Sequence, residues 1–276
     1  MSDTTLTFIG GGNMAASLIG GLIADGWDPA RIRVADSSTQ RLQQLAEQFP
    51  ITTTNSNREA ADHTDVIVLA VKPQVIKSVA QELADIVSQQ RPLVISIAAG
   101  IPATALGNWL GESAAIVRTM PNTPAMVQSG ATALYANACV NEDQRSIAES
   151  ILRAVGVAIW VEDEAQMDAV TALSGSGPAY FFLFMEALQT AGQELGLPED
   201  TARLLALQTA FGAAKMALES NEDAATLRRQ VTSPGGTTEH AIRTFQEGAL
   251  EALVSKALQA AATRSRELAA EFGSES

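Results

Sequence analysis

Leu6-Thr7-Phe8-Ile9-Gly10-Gly11-Gly12-Asn13-Met14-Ala15 is a strand-like run that breaks into a G-x-G-x-x-A turn and opens an amphipathic helical pattern ending near Gly26. Glycines let a backbone approach a pyrophosphate, and the start of the following helix turns unpaired N–H groups towards its charge. The glycine spacing alone is a weak signal. Its strand-turn-helix setting is what makes it a dinucleotide-binding fingerprint, with Gly10, Gly12, Asn13 and Met14 as the residues expected against the ligand.

Outward from this turn, short β-branched runs alternate with helical patterns as far as Val161: Ile32-Arg33-Val34, Val66-Ile67-Val68-Leu69-Ala70-Val71, Leu93-Val94-Ile95-Ser96-Ile97 and Ala115-Ile116-Val117. Such alternation predicts a doubly wound, mostly parallel sheet. The runs at Val66 and Leu93 are apolar without alternation, as strands covered on both faces are, so they are expected at the centre. Two further runs, around Ala133 and Ala158, are expected at the sheet's edge, and Pro73 and Pro102 mark helix starts. Beyond Glu162 the strand-like runs stop and a 3.6-residue period takes over. The expected fold class is therefore α/β: an N-terminal Rossmann-type doubly wound sheet over residues 1–162 and an all-α C-terminal domain over 163–276.

With 276 residues the chain is long enough for two cores. A formal net charge of −13 argues against nucleic acid, which demands clustered Lys and Arg. It also repels anionic ligands, so their attraction has to come from helix N-termini and a few placed cations. One cysteine, Cys139, and two histidines leave no basis for a disulfide or a zinc cluster, and no metal is expected. The first residues lack the basic stretch of a signal peptide, and the longest strongly apolar run, Tyr180 to Met185, is too short to span a bilayer, so the cytoplasm is the default. The polar end, Gly273-Ser274-Glu275-Ser276, is expected to fray.

The second expected strand ends at Asp36-Ser37-Ser38, with Arg41 close behind. A carboxylate here ordinarily binds the ribose hydroxyls of NAD, whereas hydroxyls and an arginine suit the extra phosphate of NADP. The two signals conflict. Ser37 and Ser38, with Asn57 and Arg58 placed to close over the adenosine, tip the expectation to NADPH, with NADH the alternative. Arg41 is open to a second reading as a solvated helix charge. Ligands of open parallel sheets bind outside the carboxyl ends of the strands, so Ala70-Val71-Lys72-Pro73 and Ala98-Ala99 are expected to line the nicotinamide half.

In the second half, Tyr180 to Met185 sit within a helix, Ala179 to Leu195, that is apolar around most of its circumference. A second subunit is the expected cover, the centre of a monomeric bundle the alternative. Glu164 and Asp168 open the first helix of this half, where acids suit the helix dipole.

Four segments in this order resemble the pyrroline-5-carboxylate reductase family: Phe8 to Ala15; Ala70 to Pro73; Arg118-Thr119-Met120-Pro121-Asn122-Thr123-Pro124; and the pair Ser174-Gly175-Ser176-Gly177-Pro178-Ala179-Tyr180 with Ser233-Pro234-Gly235-Gly236-Thr237-Thr238. The resemblance implies hydride transfer from a reduced nicotinamide to the C=N carbon of a five-membered ring bearing a carboxylate, yielding proline. The apolar helix at Tyr180 separately predicts a homodimer or larger assembly on the C-terminal helices. The implied substrate carboxylate needs donors, and Ser233, Gly235, Gly236, Thr237 and Thr238 form a turn just before a helix expected from Glu239 to Gln246. In the family, the residue matching Thr238 is the usual donor to the ring nitrogen, and the one matching Glu164 approaches the substrate. A competing reading has Thr237 or Thr238 capping that helix. Gln230, and Asp223-Ala224-Ala225 in place of a His-Pro-Gly-like loop, depart from the family pattern. A β-hydroxyacid dehydrogenase is disfavoured because Phe211 stands where its asparagine would precede Lys215, and a non-catalytic nucleotide sensor would need no second Gly-Gly turn.

Overall fold

The computed structural model describes residues 4–273, so the expectation for the last three residues of the tail lies outside it. Among the described residues, eight strands form one sheet: β1 (Leu6–Ile9), β2 (Ile32–Ala35), β3 (Thr52–Thr54), β4 (Val66–Leu69), β5 (Leu93–Ser96), β6 (Ala115–Met120), β7 (Gly130–Ala136) and β8 (Gly156–Trp160). Their order is β3-β2-β1-β4-β5-β6-β7-β8. The first six run parallel; β7 pairs antiparallel to β6 and β8 parallel to β7. The two uniformly apolar runs, β4 and β5, occupy the middle, and β7 and β8 finish one side, as their patterns predict.

Helices α1 (Asn13–Ala24), α2 (Thr39–Gln48), α3 (Asn57–Ala61), α4 (Pro73–Gln90), α5 (Ala103–Leu110), α6 (Glu142–Arg153) and α7 (Gln166–Val170) accompany the sheet. Period-two alternation sends successive side chains to opposite faces. Leu6, Phe8, Val66 and Val68 pack with Leu18 of α1, Leu45 of α2 and Ile151 of α6. Ile9, Ile67 and Leu69 pack on the other face with Ala60 of α3, Ile76 of α4 and Leu106 of α5. Two dry layers therefore clamp the sheet and fix where its strand ends emerge.

After α7 a π-helical stretch, Thr171–Gly175, leads into α8 (Gly177–Glu194), α9 (Glu199–Glu219), α10 (Ala224–Gln230), α11 (Thr237–Glu247) and α12 (Leu250–Gly273). The chain divides into two compact units, but after Ser176 rather than after Glu162; the second unit is Gly177–Ala260, and the chain from Ala261 onwards rejoins the first. The physical reason is a set of contacts between segments far apart in sequence. Ser265 Oγ donates to Asp168 Oδ1 at 2.7 Å, and Leu268 and Phe272 lie 3.6 Å from where a Cβ on Gly100 would stand, so the end of α12 packs within the sheet-bearing unit.

In the second unit α8 and α9 approach closely, a Cβ on Gly192 falling 3.3 Å from the Ala202 side chain, and Phe184 meets Phe245 of α11 with ring centroids 6.0 Å apart. Little else of its apolar surface is covered. Phe181, Phe182 and Leu183 are 66%, 64% and 67% exposed, and Leu204, Phe211 and Leu253 are each more than 60% exposed. The all-round apolar helix expected from the sequence is present, and the described chain does not bury it.

Candidate functional site

The glycine turn sits where neighbouring strands leave β1 in opposite directions, β2 to one side and β4 to the other. This is the switch point at which open α/β sheets take ligands. Gly10 N donates to Ala35 O at 2.7 Å and Ala70 N to Ile9 O at 2.8 Å, tying three strand ends together. Gly10 adopts a φ of +100°, and a Cβ there would lie 2.6 Å from Ala70 O, so the turn requires glycine. Gly12 is the exposed N-cap of α1; no side chain caps the helix, its first turn holds no acid, and nothing lies within 4 Å of a Cβ built on Gly12. Open space over uncapped amides fits a pyrophosphate. Asn13 is exposed and Met14 half-buried beside it.

The conflict between Asp36 and Arg41 takes an unexpected form. Asp36 Oδ2 accepts from Gly11 N at 2.7 Å and Oδ1 from Ser38 N at 2.8 Å, while Arg41 Nε donates to Gly11 O. Arg41 is thus not a merely solvated charge. Ser37 and Ser38 are exposed at the start of α2, and the Ser38 hydroxyl caps that helix by accepting from Arg41 N at 3.3 Å. Asn57 opens α3, but its Nδ2 donates to Glu82 Oε2 of α4 at 2.9 Å. Arg58 forks onto Asp85 at 2.7 and 2.6 Å and donates to Glu82 O at 2.7 Å, so the donors expected over an adenosine are committed to α4. The Arg58 hydrogen bond, chiefly, and its charge hold the half-exposed Asp85 carboxyl at about 2, against an ordinary 3.8.

Ala70 and Val71 are half-buried just past β4; Lys72 is the exposed N-cap of α4, with Pro73 at its first position. Ala98 is buried and Ala99 exposed in the turn after β5, and Ile97 N donates to Leu69 O at 3.1 Å, so the β4 and β5 turns are neighbours. The residues expected to line the nicotinamide half therefore share one end of the sheet with the glycine turn.

Sequence reasoning missed what the Arg118 to Pro124 segment holds. Arg118 on β6 is buried, its side chain 7% exposed, and Nη1 donates to Glu164 Oε1 at 2.8 Å. The same oxygen accepts from Ala103 N, the first amide of α5, at 2.7 Å. Glu164, expected at the substrate, is thus the half-buried counter-charge of a buried arginine 46 residues away and a cap on α5 61 residues away. Asn122 Nδ2 reaches Ser174 O and Oγ at 3.3 and 3.2 Å, its Oδ1 accepts from Ala131 N at 2.9 Å, and a Cβ on Gly175 would strike the Met120 methyl. The Arg118 to Pro124 segment and the Ser174-Gly175 end of the fourth segment therefore meet in space. The one sequence feature that could have drawn notice to it is an arginine directly following the apolar run Ala115-Ile116-Val117.

In the second unit, Gly235 has a φ of +69° and Gly236 N donates to Ser233 O at 3.0 Å, making a tight exposed turn. Gly236 is the N-cap of α11, without a side-chain cap. The helix begins at Thr237, two residues before the expected Glu239, so Thr237 and Thr238 lie inside its first turn and neither caps it. Glu239 folds back, its Oε2 accepting from Gly235 N at 2.7 Å. A carboxylate is thus already seated on one amide of this turn. Among the described residues no group of three or more His, Cys, Asp and Glu side chains is arranged to hold a metal, and no helix is long and apolar enough to cross a membrane.

Fold and site define a nicotinamide-nucleotide-dependent oxidoreductase with a helical second part. The family model described as "NADP oxidoreductase coenzyme F420-dependent" matches residues 5–100, and "Pyrroline-5-carboxylate reductase dimerisation" matches residues 164–268. The chain is 54% identical over 273 residues to a pyrroline-5-carboxylate reductase of Pseudomonas aeruginosa, covering 99% of this chain and 100% of the relative. A solved pyrroline-5-carboxylate reductase from Coxiella burnetii superposes with a TM-score of 0.93 at 53% identity, over 96% of this chain and 98% of that one. A Plasmodium falciparum pyrroline carboxylate reductase, solved with NADP bound, gives a TM-score of 0.85 at 31% identity, over 98% and 99% of the two chains. The chain belongs to the pyrroline-5-carboxylate reductase family.

Proposed function

We infer that the protein reduces 1-pyrroline-5-carboxylate to L-proline with NAD(P)H, the last step of proline biosynthesis. The observation that carries this reading is the 54% identity to a pyrroline-5-carboxylate reductase over its whole length. The open glycine turn at the switch point is the feature of this chain that the reaction needs first.

When bound, the reduced nicotinamide supplies a hydride to the imine carbon, and the ring nitrogen ends with one proton more than in the free imine. An imine nitrogen is basic enough to take that proton from water, so the protein need not supply a strong acid. Gly12, Asn13 and Met14 would hold the pyrophosphate through the amides that open α1, and Gly10, its own amide bonded to Ala35 O, shapes the turn beneath them. Ser37 and Ser38 lie on the adenosine side, which Asn57 reaches only by leaving Glu82, and Ala70, Val71, Pro73, Ala98 and Ala99 leave a slot of small side chains for the nicotinamide, with Lys72 at its rim. The extra phosphate of NADPH suits the exposed hydroxyls of Ser37 and Ser38, which favours NADPH over NADH.

The substrate carboxylate takes the amides of Gly235 and Thr237 at the head of α11, displacing the Glu239 carboxylate from Gly235 N, while Ser233 and Gly236 hold the turn through the Gly236 N to Ser233 O bond. Thr238, free of capping duty, directs its hydroxyl to the ring nitrogen and orients the imine carbon. Glu164 holds Arg118 and the start of α5 in place within the sheet-bearing unit. The helical unit Gly177–Ala260, within the residues from 163 onwards, serves as the dimerisation and substrate part, and the sheet-bearing unit as the nucleotide part. The exposed aromatic face of α8 is buried in a homodimer or larger homo-oligomer built on the C-terminal helices, working in the cytoplasm.

The direct test mixes the purified protein with 1-pyrroline-5-carboxylate and either reduced nucleotide, following nucleotide absorbance and proline. Consumption of nucleotide coupled to proline is expected; an inert mixture refutes the reading. Thr238→Ala is expected to lower kcat about tenfold or more, the worth of one hydrogen bond to a charged group, while nucleotide affinity stays put. Unchanged turnover removes Thr238 from the chemistry.

A further inference from the structure

The Gly11 peptide is gripped at both ends by opposite charges. Its N–H donates to Asp36 Oδ2 at 2.7 Å, and its carbonyl accepts from Arg41 Nε. Each gripping side chain is itself braced. Asp36 Oδ1 accepts from Ser38 N at 2.8 Å, Asn55 Nδ2 donates to Asp36 O at 3.0 Å, and Arg41 Nη1 donates to Gln44 Oε1 at 3.3 Å. Gly11 is buried, and a Cβ there would meet Leu45 Cδ1 at 2.8 Å.

At these positions a carboxylate ordinarily reads the ribose of NADH and an arginine the extra phosphate of NADPH. The geometry points to a different role, resting on the nicotinamide-nucleotide reading above: Asp36 and Arg41 are positioning residues that clamp the Gly11 peptide and set the shape of the glycine turn, and neither chooses between the two nucleotides.

Three physical reasons support the clamp. First, both Asp36 carboxylate oxygens already accept backbone N–H groups, and a ribose diol that drew the carboxylate outward would strip the buried Gly11 N–H of its acceptor, at a cost greater than a solvent-exposed hydroxyl bond returns. Second, Arg41 holds a carbonyl oxygen through Nε and a glutamine through Nη1, so its planar fork is fixed at both ends and cannot turn freely to a phosphate. Third, one negative and one positive group at either end of a single peptide largely cancel at a distance, so the pair neither draws nor repels the extra phosphate. Gly11 lies between Gly10, whose conformation admits no side chain, and Gly12, whose amide opens α1; a shift of its peptide moves the donors that both nucleotides share.

The test is isothermal titration of the full-length protein with NADP+ and with NAD+, for the wild type, Asp36→Asn and Arg41→Gln, alongside backbone amide exchange of residues 9–14 without nucleotide. The clamp predicts that each variant weakens both nucleotides by about tenfold, the factor for one charge-assisted hydrogen bond, keeps their affinity ratio within about threefold of wild type, and speeds amide exchange in the turn. Asp36→Asn gaining NADP+ affinity while losing NAD+ affinity would overturn it and make Asp36 the ribose reader. Arg41→Gln losing NADP+ alone would overturn it in favour of a phosphate reader, and unchanged affinities and exchange would show that no clamp exists. Arg41 is half-buried on α2, so Arg41→Gln carries the decision should Asp36→Asn melt below the assay temperature. A wild type that binds neither nucleotide sinks the functional reading along with the clamp, whereas altered ratios on a wild type that binds both sink the clamp alone.

Discussion

Removing Glu164 isolates the cost of orphaning a buried guanidinium. Arg118 is 7% and Glu164 20% exposed, their bond is 2.8 Å, and the same carboxylate oxygen caps α5 at 2.7 Å. Deleting one partner of a buried pair costs about 3–5 kcal/mol, because the survivor stays desolvated without a counter-charge. The lost cap is worth about 0.5–2 kcal/mol on its own, although the two effects share an oxygen and do not simply add. Glu164→Ala is therefore expected to lower the melting temperature by roughly 6–20 °C, at about 2–4 °C per kcal/mol for a unit of this size. Glu164→Gln keeps an acceptor for both donors and is expected to lose less than half of that. The decisive variant is Arg118→Met combined with Glu164→Ala: with no charge left to strand, it is expected to melt well above Glu164→Ala alone. Circular dichroism melts of the three variants suffice. A Glu164→Ala protein within about 1 kcal/mol of wild type, or a double variant no more stable than the single, refutes the buried counter-charge.

The glycine turn separates fold from binding: Gly10→Ala is expected to destabilise, its Cβ striking Ala70 O at 2.6 Å at a φ of +100°, whereas Gly12→Ala, facing open space, is expected to melt like wild type and lose nucleotide affinity in a titration. The Arg58–Asp85 pair predicts a pH effect. The folded Asp85 carboxyl sits at about 2 against an ordinary 3.8, so the pair's support is complete above about pH 5 and is lost as pH falls through 2. The stability gap between wild type and Arg58→Ala is expected to close over that window, and added salt to shrink it throughout, since both side chains are half-exposed. Phe182→Glu, on a face 64% exposed in the single chain, is expected to give a folded protein of smaller mass by light scattering; an unchanged oligomer places the interface elsewhere.

Much of this protein follows from local pattern, because strand and helix periods and the steric demands of glycine act over a few residues. The alternation from Leu6 to Val161 determined the sheet, the apolar runs at Val66 and Leu93 its centre, and Gly10 to Ala15 the nucleotide turn. Motif order determined the family. Long-range pairing was different: nothing in sequence says that Asp36 bonds Gly11 across 25 residues, that Arg58 faces Asp85 across 27, or that Glu164 meets Arg118 across 46. A charged residue can be satisfied by water, ligand or another side chain, and only the folded chain selects among them. The same holds for the chain's division after Ser176, which depends on Ser265 reaching Asp168 and on the end of α12 packing over Gly100. Periodicity told where helices lie; burial, set by packing among distant segments, decided what their side chains do.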